Sequence, residues 1–558
     1  LLLSLKMNKA ADIAKAVGMA TGHFQAGRIA EAETLCRNVL AEAPRNPDAL
    51  HLLGVIADTV GNHAAAIELI GQAIGFKTNE PFYHGNLGQA LQNAGRVDEA
   101  VAEYERALKI NPGMVAVLIN MGNIVMAQGK LDAAEEWYKR AVAADPKQAL
   151  THYNLGGLYK AQKKTTPAIA AYTQALALNP NMAEARVNLG ALFKDENRFE
   201  EAGAQYRQAI ALDPKQSKAY NNLGLLLRES GRFDDALECF FQTLKLTPDD
   251  TEARANIGTT LITGGAFAEG WPLYEARWEG LSPKSLRPAT QLPQWTGENP
   301  GANDRLLLFG EQGLGDKIHF SRYISLAAAR FPAGVSVITD RSLQSLFRRS
   351  FPSVEILAEV PADQGRWQWH CPLMSLPLAF GTTLETVPAQ TPYLVPDPVK
   401  VAYWKDKIAA LTLTARKIGV VWKPGKLMTS ASLKALSFQQ LKPLLEQPGV
   451  AWFSLQKDID PESEPGRLID WSAEFNDFDD TAALMMNLDL IISVDTSTAH
   501  LAGALNLPVW MLNRHASDWR WLWGRDDSPW YPSMRIFNQK TARDWDEVVG
   551  RIITALSK

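Results

Sequence analysis

Three segments combine glycine, hydroxyl or lysine residues directly after apolar runs, a setting in which backbone N–H groups converge on a ligand. The first is Gly310-Glu311-Gln312-Gly313-Leu314-Gly315-Asp316. Its spacing is neither the dinucleotide fingerprint nor a P-loop, since no Gly-Lys-Ser/Thr follows. Gly310, Gly313 and Gly315 would let the backbone approach a ligand closely, with Gln312 in the same loop. Asp316 stands where a helix begins. It can be an N-cap worth about 1 kcal/mol or a general base. The second segment, Ser493 to Gly503, runs from an apolar strand into Asp495, Thr496, Ser497 and Thr498, with His500 following. Free N–H groups and hydroxyls at such a helix start favour an anion such as phosphate, with Asp495 pointing elsewhere. A capped helix with a structural His500 is the alternative. In the third, Trp422-Lys423-Pro424-Gly425-Lys426, Lys423 and Lys426 can face a diphosphate or simply be solvated. Trp519, Trp521, Trp523, Trp530 and Tyr531 read as core walls or as a stacking surface.

The elements that must position these segments alternate. Apolar runs at Leu306–Phe309, Val335–Thr339, Ile418–Trp422, Ala451–Leu455, Leu488–Val494 and Val509–Leu512 read as buried strands. Helical patterns fall at Lys317–Arg330, Leu343–Ser350, Phe438–Glu446, Thr481–Asn487 and Thr498–Asn506. Such alternation predicts parallel sheets covered by helices, with ligands at the strand carboxyl ends. Two Rossmann-like lobes are expected, at 305–400 and 401–558. A proline-rich strap over 281–304, holding Trp295, precedes them.

The first half is different. Of the 16 tryptophans only Trp137 precedes Trp271. Gly54, Gly88, Gly122, Gly156, Gly190, Gly224 and Gly258 recur every 34 residues, small residues such as Ala66, Ala100 and Ala134 follow in phase, and Pro112, Pro146, Pro180, Pro214 and Pro248 close units. Small residues let paired helices approach, and proline ends the second helix. This resembles the tetratricopeptide repeat, with about eight units over 13–280, an α-solenoid. One position of each unit is Asn86, Asn120, Asn154, Asn188, Asn222 or Asn256. In this repeat family it faces a concave groove. Amides that donate and accept can grip an extended peptide; a plain consensus asparagine is the alternative. A protein partner is expected, and some arrays of this type form homo-oligomers.

Composition narrows the classes. Lys+Arg number 57 against 61 Asp+Glu, so nucleic acid is not the expected main partner. Cys36, Cys239 and Cys371 lack metal-ligand spacing and fit a reducing compartment. No apolar run has the length of a membrane span. Leu1 to Met7 is too short for a signal peptide, and Met7 is a candidate natural start. A cytoplasmic location is expected.

Gly310–Asp316, His370-Cys371-Pro372-Leu373, Ser454-Leu455-Gln456-Lys457, Asp495–Gly503 and Asp518-Trp519-Arg520-Trp521 together resemble the heptosyltransferase-type glycosyltransferases, family 9, over about 305–555. Repeats ahead of such a domain resemble bacterial flagellin-modifying transferases and, more distantly, O-GlcNAc transferases. The resemblance implies a two-lobed GT-B fold, no metal and no cofactor. A nucleotide sugar would bind as substrate at Trp422, Lys423, Lys426, Gln456, Asp495, Thr496, Ser497, Thr498 and His500. Asp316 would be the base for an acceptor hydroxyl. One departure stands out: relatives carry Asn, Asp and Arg after the Val-Trp strand, where this chain has Lys423 to Ser432 without an Asp-Arg run.

Three functions follow. A protein glycosyltransferase would take an acceptor, flagellin being one candidate, from the repeats. A transferase for saccharide or lipid-linked acceptors would use the repeats only for assembly. A non-enzymatic scaffold would carry a degenerate transferase domain.

Overall fold

The computed structural model describes residues 2–280, 290–425, 434–457 and 468–558, with side chains from residue 10 onward. The chain forms two compact units, Leu1–Ala219 and Tyr220–Lys558.

The first unit is built of antiparallel helix pairs, from Leu2–Gln25 with Ile29–Glu42 to Ala183–Asp195 with Phe199–Leu212. The phased glycines have a specific cause. A Cβ at Gly88, Gly122, Gly156 or Gly190 would lie 2.5–2.7 Å from the ring of Tyr104, Tyr138, Tyr172 or Tyr206. Each ring is buried in the notch its glycine leaves. The turn inside each pair is left-handed, at Gly27, Gly61, Gly95 and Gly129. Lys163 and Asn197 take the same conformation at φ 59°, which is costly for a residue with a Cβ and least so for asparagine.

In the second unit the repeat helices Thr251–Thr263 and Phe267–Tyr274 enter the core of the α/β region. Ile262, Phe267, Trp271 and Tyr274 are buried in one cluster with Leu306, Phe320 and Trp519. Trp271 meets Trp519 edge-on at 5.6 Å, and its indole N–H donates to the Thr382 carbonyl at 3.0 Å. The strap docks as well. Trp295 is buried between Phe331 and Phe380, and its backbone N–H donates to the His370 carbonyl at 2.8 Å. Pro283 and Pro288 lie outside the described residues.

Two all-parallel sheets follow. The first contains β1 (Leu306–Phe309), β2 (Val335–Ile338), β3 (Glu355–Leu357) and β4 (Trp369–Pro372), in the order β3-β2-β1-β4. The second contains β5 (Arg416–Val421), β6 (Val450–Ser454), β7 (Leu468–Asp470), β8 (Leu490–Val494), β9 (Val509–Asn513) and β10 (Met534–Asn538), in the order β7-β6-β5-β8-β9-β10. That is the strand order of a doubly wound nucleotide-binding sheet, whose crevice lies where the order reverses. The reversals fall between β1 and β4 and between β5 and β8. The glycine loop follows β1, the Trp422–Gly425 segment follows β5, and the hydroxyl turn follows β8.

Several elements differ from the sequence expectation. The helix expected over Lys317–Arg330 is two helices, Leu314–Phe320 and Ile324–Arg330. A 3-10 turn, Ser321–Tyr323, joins them, and within it Arg322 turns inward, its Nε donating to the His319 carbonyl at 2.9 Å and its Nη1 to the Trp530 carbonyl at 2.6 Å. The helix expected at Thr481 begins at Phe478 because Asp477 and Asp480 form a capping box. Strands β3, β4, β7 and β10 have no apolar run. All four lie at sheet edges, and β10 keeps Arg535 exposed within it.

Candidate functional site

The glycine loop and the hydroxyl turn face one cavity of about 490 Å³. Their helices, Leu314–Phe320 and Ser497–Ala504, lie against each other. Gly315 permits this: a Cβ there would stand 3.0 Å from His500 Cδ2 and 3.4 Å from Ser497 Cα. Gly310 makes a second close approach, with the Lys317 stem 2.5 Å from where its Cβ would be.

Asp316 is not the N-cap. Gly313 holds that place, and Asp316 is in the first turn of the helix. Its carboxylate pairs with Arg520, which also donates to Asp518 at 2.7 Å. The Asp316 side chain keeps 18% of its exposure, on the cavity. Burial raises its pKa above the usual carboxylate value while Arg520 opposes the rise. Burial would raise Asp518 too, but Arg520 and Lys434 hold it below that range. Asp316 is therefore the more basic of the two carboxylates that Arg520 joins.

In the hydroxyl turn Thr496 is the N-cap without a side-chain cap bond, and its hydroxyl lies 3.1 Å from that of Ser493. Asp495 is turned to Lys434, an ion pair buried on both sides. His500 stacks on Trp521 at 4.9 Å. Its Nδ1 lies 3.0 Å from the Tyr531 hydroxyl, which lies 3.1 Å from Nδ1 of His319. Burial lowers the His500 pKa to about 3, so the imidazole is neutral. Trp519, Trp521, Trp530 and Tyr531 are all buried, as core walls are.

A second cavity of about 210 Å³ lies beside the first. The two share Gly425, Thr496 and Ser497. Lys423, Gln456, Lys457 and Thr498 line the second one. The backbone N–H of Lys423 donates to Gln456 Oε1 at 3.2 Å, which ties the ends of β5 and β6 together. Trp422 is buried in the core of the second sheet, away from both cavity linings. Lys426 and the stretch Thr429–Ser432 lie outside the described residues. Lys434, Asp518 and Arg520 complete the site. The sequence signalled the last two only through the Asp518–Trp521 motif and carried no signal for Lys434.

The asparagines occupy a different environment. Asn86 Nδ2 lies 2.8 Å from His51 Nε2, Asn120 donates to Gln89 at 2.8 Å, and Asn188 reaches the Tyr153 hydroxyl at 3.4 Å. Asn256 donates to Asn221 at 3.1 Å. Four of the six amides thus link one repeat to the preceding one. Asn154 and Asn222 are likewise half-buried. Among the described residues no group of His, Cys, Asp and Glu is arranged to hold a metal, and no helix is long and apolar enough to cross a membrane.

Comparison with known proteins identifies the repeats. A tetratricopeptide repeat model matches residues 23–89, and that of the C-terminal domain of cilia and flagella-associated protein 70 matches 79–276. Protein FlbA of Caulobacter vibrioides is 34% identical over 317 residues, 52% of this chain and 52% of that protein. The protein O-mannosyl-transferase TMTC1 of Mus musculus is 32% identical over 99 residues, 17% of this chain and 10% of that protein. The chain thus spans about half the length of FlbA and a tenth of TMTC1. Among solved structures, YrrB, a repeat protein with an unusual peptide-binding site, is 22% identical with a TM-score of 0.29, over 34% of this chain and 96% of that one. MamA is 28% identical with a TM-score of 0.28, over 30% and 97%. The chain carries tetratricopeptide repeats, followed by a region of parallel sheets and helices.

Proposed function

We propose that the α/β region is a GT-B glycosyltransferase of the heptosyltransferase type, acting on a hydroxyl of a protein that the repeats recruit, a flagellin being the leading candidate. The observation that carries this reading is that Asp316 and the start of the Ser497–Ala504 helix face one cavity at the carboxyl ends of β1 and β8.

In this reading the nucleoside part of the donor occupies the smaller cavity, beside Gln456 and Lys457. Its diphosphate lies at Thr496, Ser497 and Thr498, where the cavities meet and the helix N–H groups favour negative charge. Neutral His500 adds one hydrogen bond and no charge. The acceptor O–H gives its proton to Asp316 as the oxygen bonds to the anomeric carbon. The carbon–oxygen bond to the diphosphate breaks, and the nucleotide leaves with the electron pair. The helix start and nearby lysines stabilise that charge in the place of a metal. Arg520 aims the Asp316 carboxylate and opposes the rise in pKa that burial imposes on it.

Titration of the full chain with UDP, GDP, ADP, dTDP and CMP tests the donor site. One of them should bind, and Ser497→Glu should abolish its binding by placing a carboxylate at the helix start. If none binds, the transferase reading fails and the scaffold reading replaces it.

A further inference from the structure

A third cavity, of about 190 Å³, is lined by Arg228, Glu229, Thr259 and Thr263 of the repeat helices and by Arg514, Ser517, Asp518 and Trp519 of the α/β region. It shares Asp518 with the large cavity, so the two adjoin at that residue. One repeat asparagine, Asn256, is joined to its wall. Asn256 donates to Asn221 at 3.1 Å and accepts from Arg228 at 3.3 Å.

The cavity brings two guanidinium groups together. Arg228 and Arg514 repel each other across it, and burial lowers the Arg228 pKa. The Arg514 Nε is buried with no hydrogen-bond partner among the described residues. Asp518 is engaged by Arg520. The two guanidinium groups are opposed by Glu229 and by Asp518, and Asp518 is shared with Arg520. The wall hydroxyls are already used as donors: Thr259 to the Ala255 carbonyl, Thr263 to that of Thr259, and Ser517 to that of Asp518. What remains is a fork of N–H donors that a carboxylate would satisfy.

We infer that the Arg228–Arg514 cavity binds an acidic side chain of the acceptor protein, next to the hydroxyl that receives the sugar. This rests on the transferase reading and names the acceptor chemistry. Arg228 ties this cavity to Asn256 of the last repeat helices, so an acceptor chain held at Asn256 would lie beside it. A glutamate or aspartate held here would fix its register, so that a neighbouring serine or threonine projects past Asp518 toward Asp316.

The test is binding of a fluorescein-labelled peptide of alternating serine and glutamate, compared with its serine–glutamine counterpart, by anisotropy at fixed salt. The acidic peptide should bind about tenfold or more tightly than the amide peptide, since charge-assisted hydrogen bonds carry the difference. Arg514→Gln and Arg228→Gln should each erase that preference, and Arg514→Lys should retain part of it. Thermal melts of each variant establish that it is folded. Nucleotide binding by Arg514→Gln should equal that of the parent. Equal affinity for the two peptides, or a preference that survives Arg514→Gln, overturns the inference while nucleotide binding persists. Loss of nucleotide binding in the parent chain overturns the transferase reading instead.

Discussion

In the first unit Asn120 finds its partners, Gln89 and Tyr104, in the preceding repeat. In the α/β region Asp316 finds Arg520 across 204 residues of chain. The first arrangement repeats with the period, is half-open to solvent, and joins neutral groups. The second occurs once, is nearly closed, and joins charges. Repeat helices need contact only with their neighbours, so their polar groups act as local staples. A cleft at strand ends draws on segments distant in sequence, and there buried charges must be paired to persist. The contrast separates neutral groups that join neighbouring repeats from charged groups that gather in a cleft.

Substitutions can sharpen or break this contrast. Asp316→Ala should lower sugar transfer by about 10²-fold or more, with donor affinity nearly unchanged, in single-turnover and binding assays. A parent-like rate would return Asp316 to a structural role. Arg520→Ala should destabilise the second unit by about 3–5 kcal/mol in urea unfolding, because two carboxylates lose their cation. A loss under about 1 kcal/mol, as for a surface pair, would end the distinction between cleft and repeats.

A third test uses pH. Glu311 is buried with Arg277, which also donates to Ser375 at 2.8 Å, and burial raises the carboxyl to about 7 from 4.5. The folded state therefore holds the proton more tightly than the unfolded chain. The contribution of this group to stability falls as pH rises from about 4.5 to about 7. Glu311→Gln should remove that fall, so the stability difference between parent and variant should change across the window. A constant difference would contradict it.

Smaller effects are expected in the repeats. Gly122→Ala should cost about 1–3 kcal/mol by driving a methyl into Tyr138. Asn120→Ala should cost about 0.5–1.5 kcal/mol. An Asn120→Ala variant that leaves stability untouched but weakens protein binding would move the asparagines from staples to ligand contacts.

The repeats were the more legible part of the sequence because their cause is local. Five of the seven phased glycines, Gly88, Gly122, Gly156, Gly190 and Gly224, meet an aromatic ring of the next helix, and the period carries both. The strands of the sheet centres were legible as apolar runs, whereas β4 and β10 were not, since their residues serve an edge. The cleft was legible where it follows a strand directly, at Gly310 to Asp316 and at Asp495 to His500. Lys434 escaped notice because its meaning comes from Asp495, 61 residues away. Cap and base stayed open for Asp316 because Gly313 and Gly315 flank the helix start at Leu314 and leave no strong start signal. The inward turn of Arg322 depends on the distant Trp530 carbonyl, which no local pattern encodes.

The most direct measurement is the intact mass of a purified flagellin incubated with the full chain and each of a panel of nucleotide sugars, beside Asp316→Ala. A gain of one sugar mass with one donor, absent with the variant, is the expected result. No gain with any donor, from a chain that also binds no nucleotide, would contradict a catalytic cleft at Asp316.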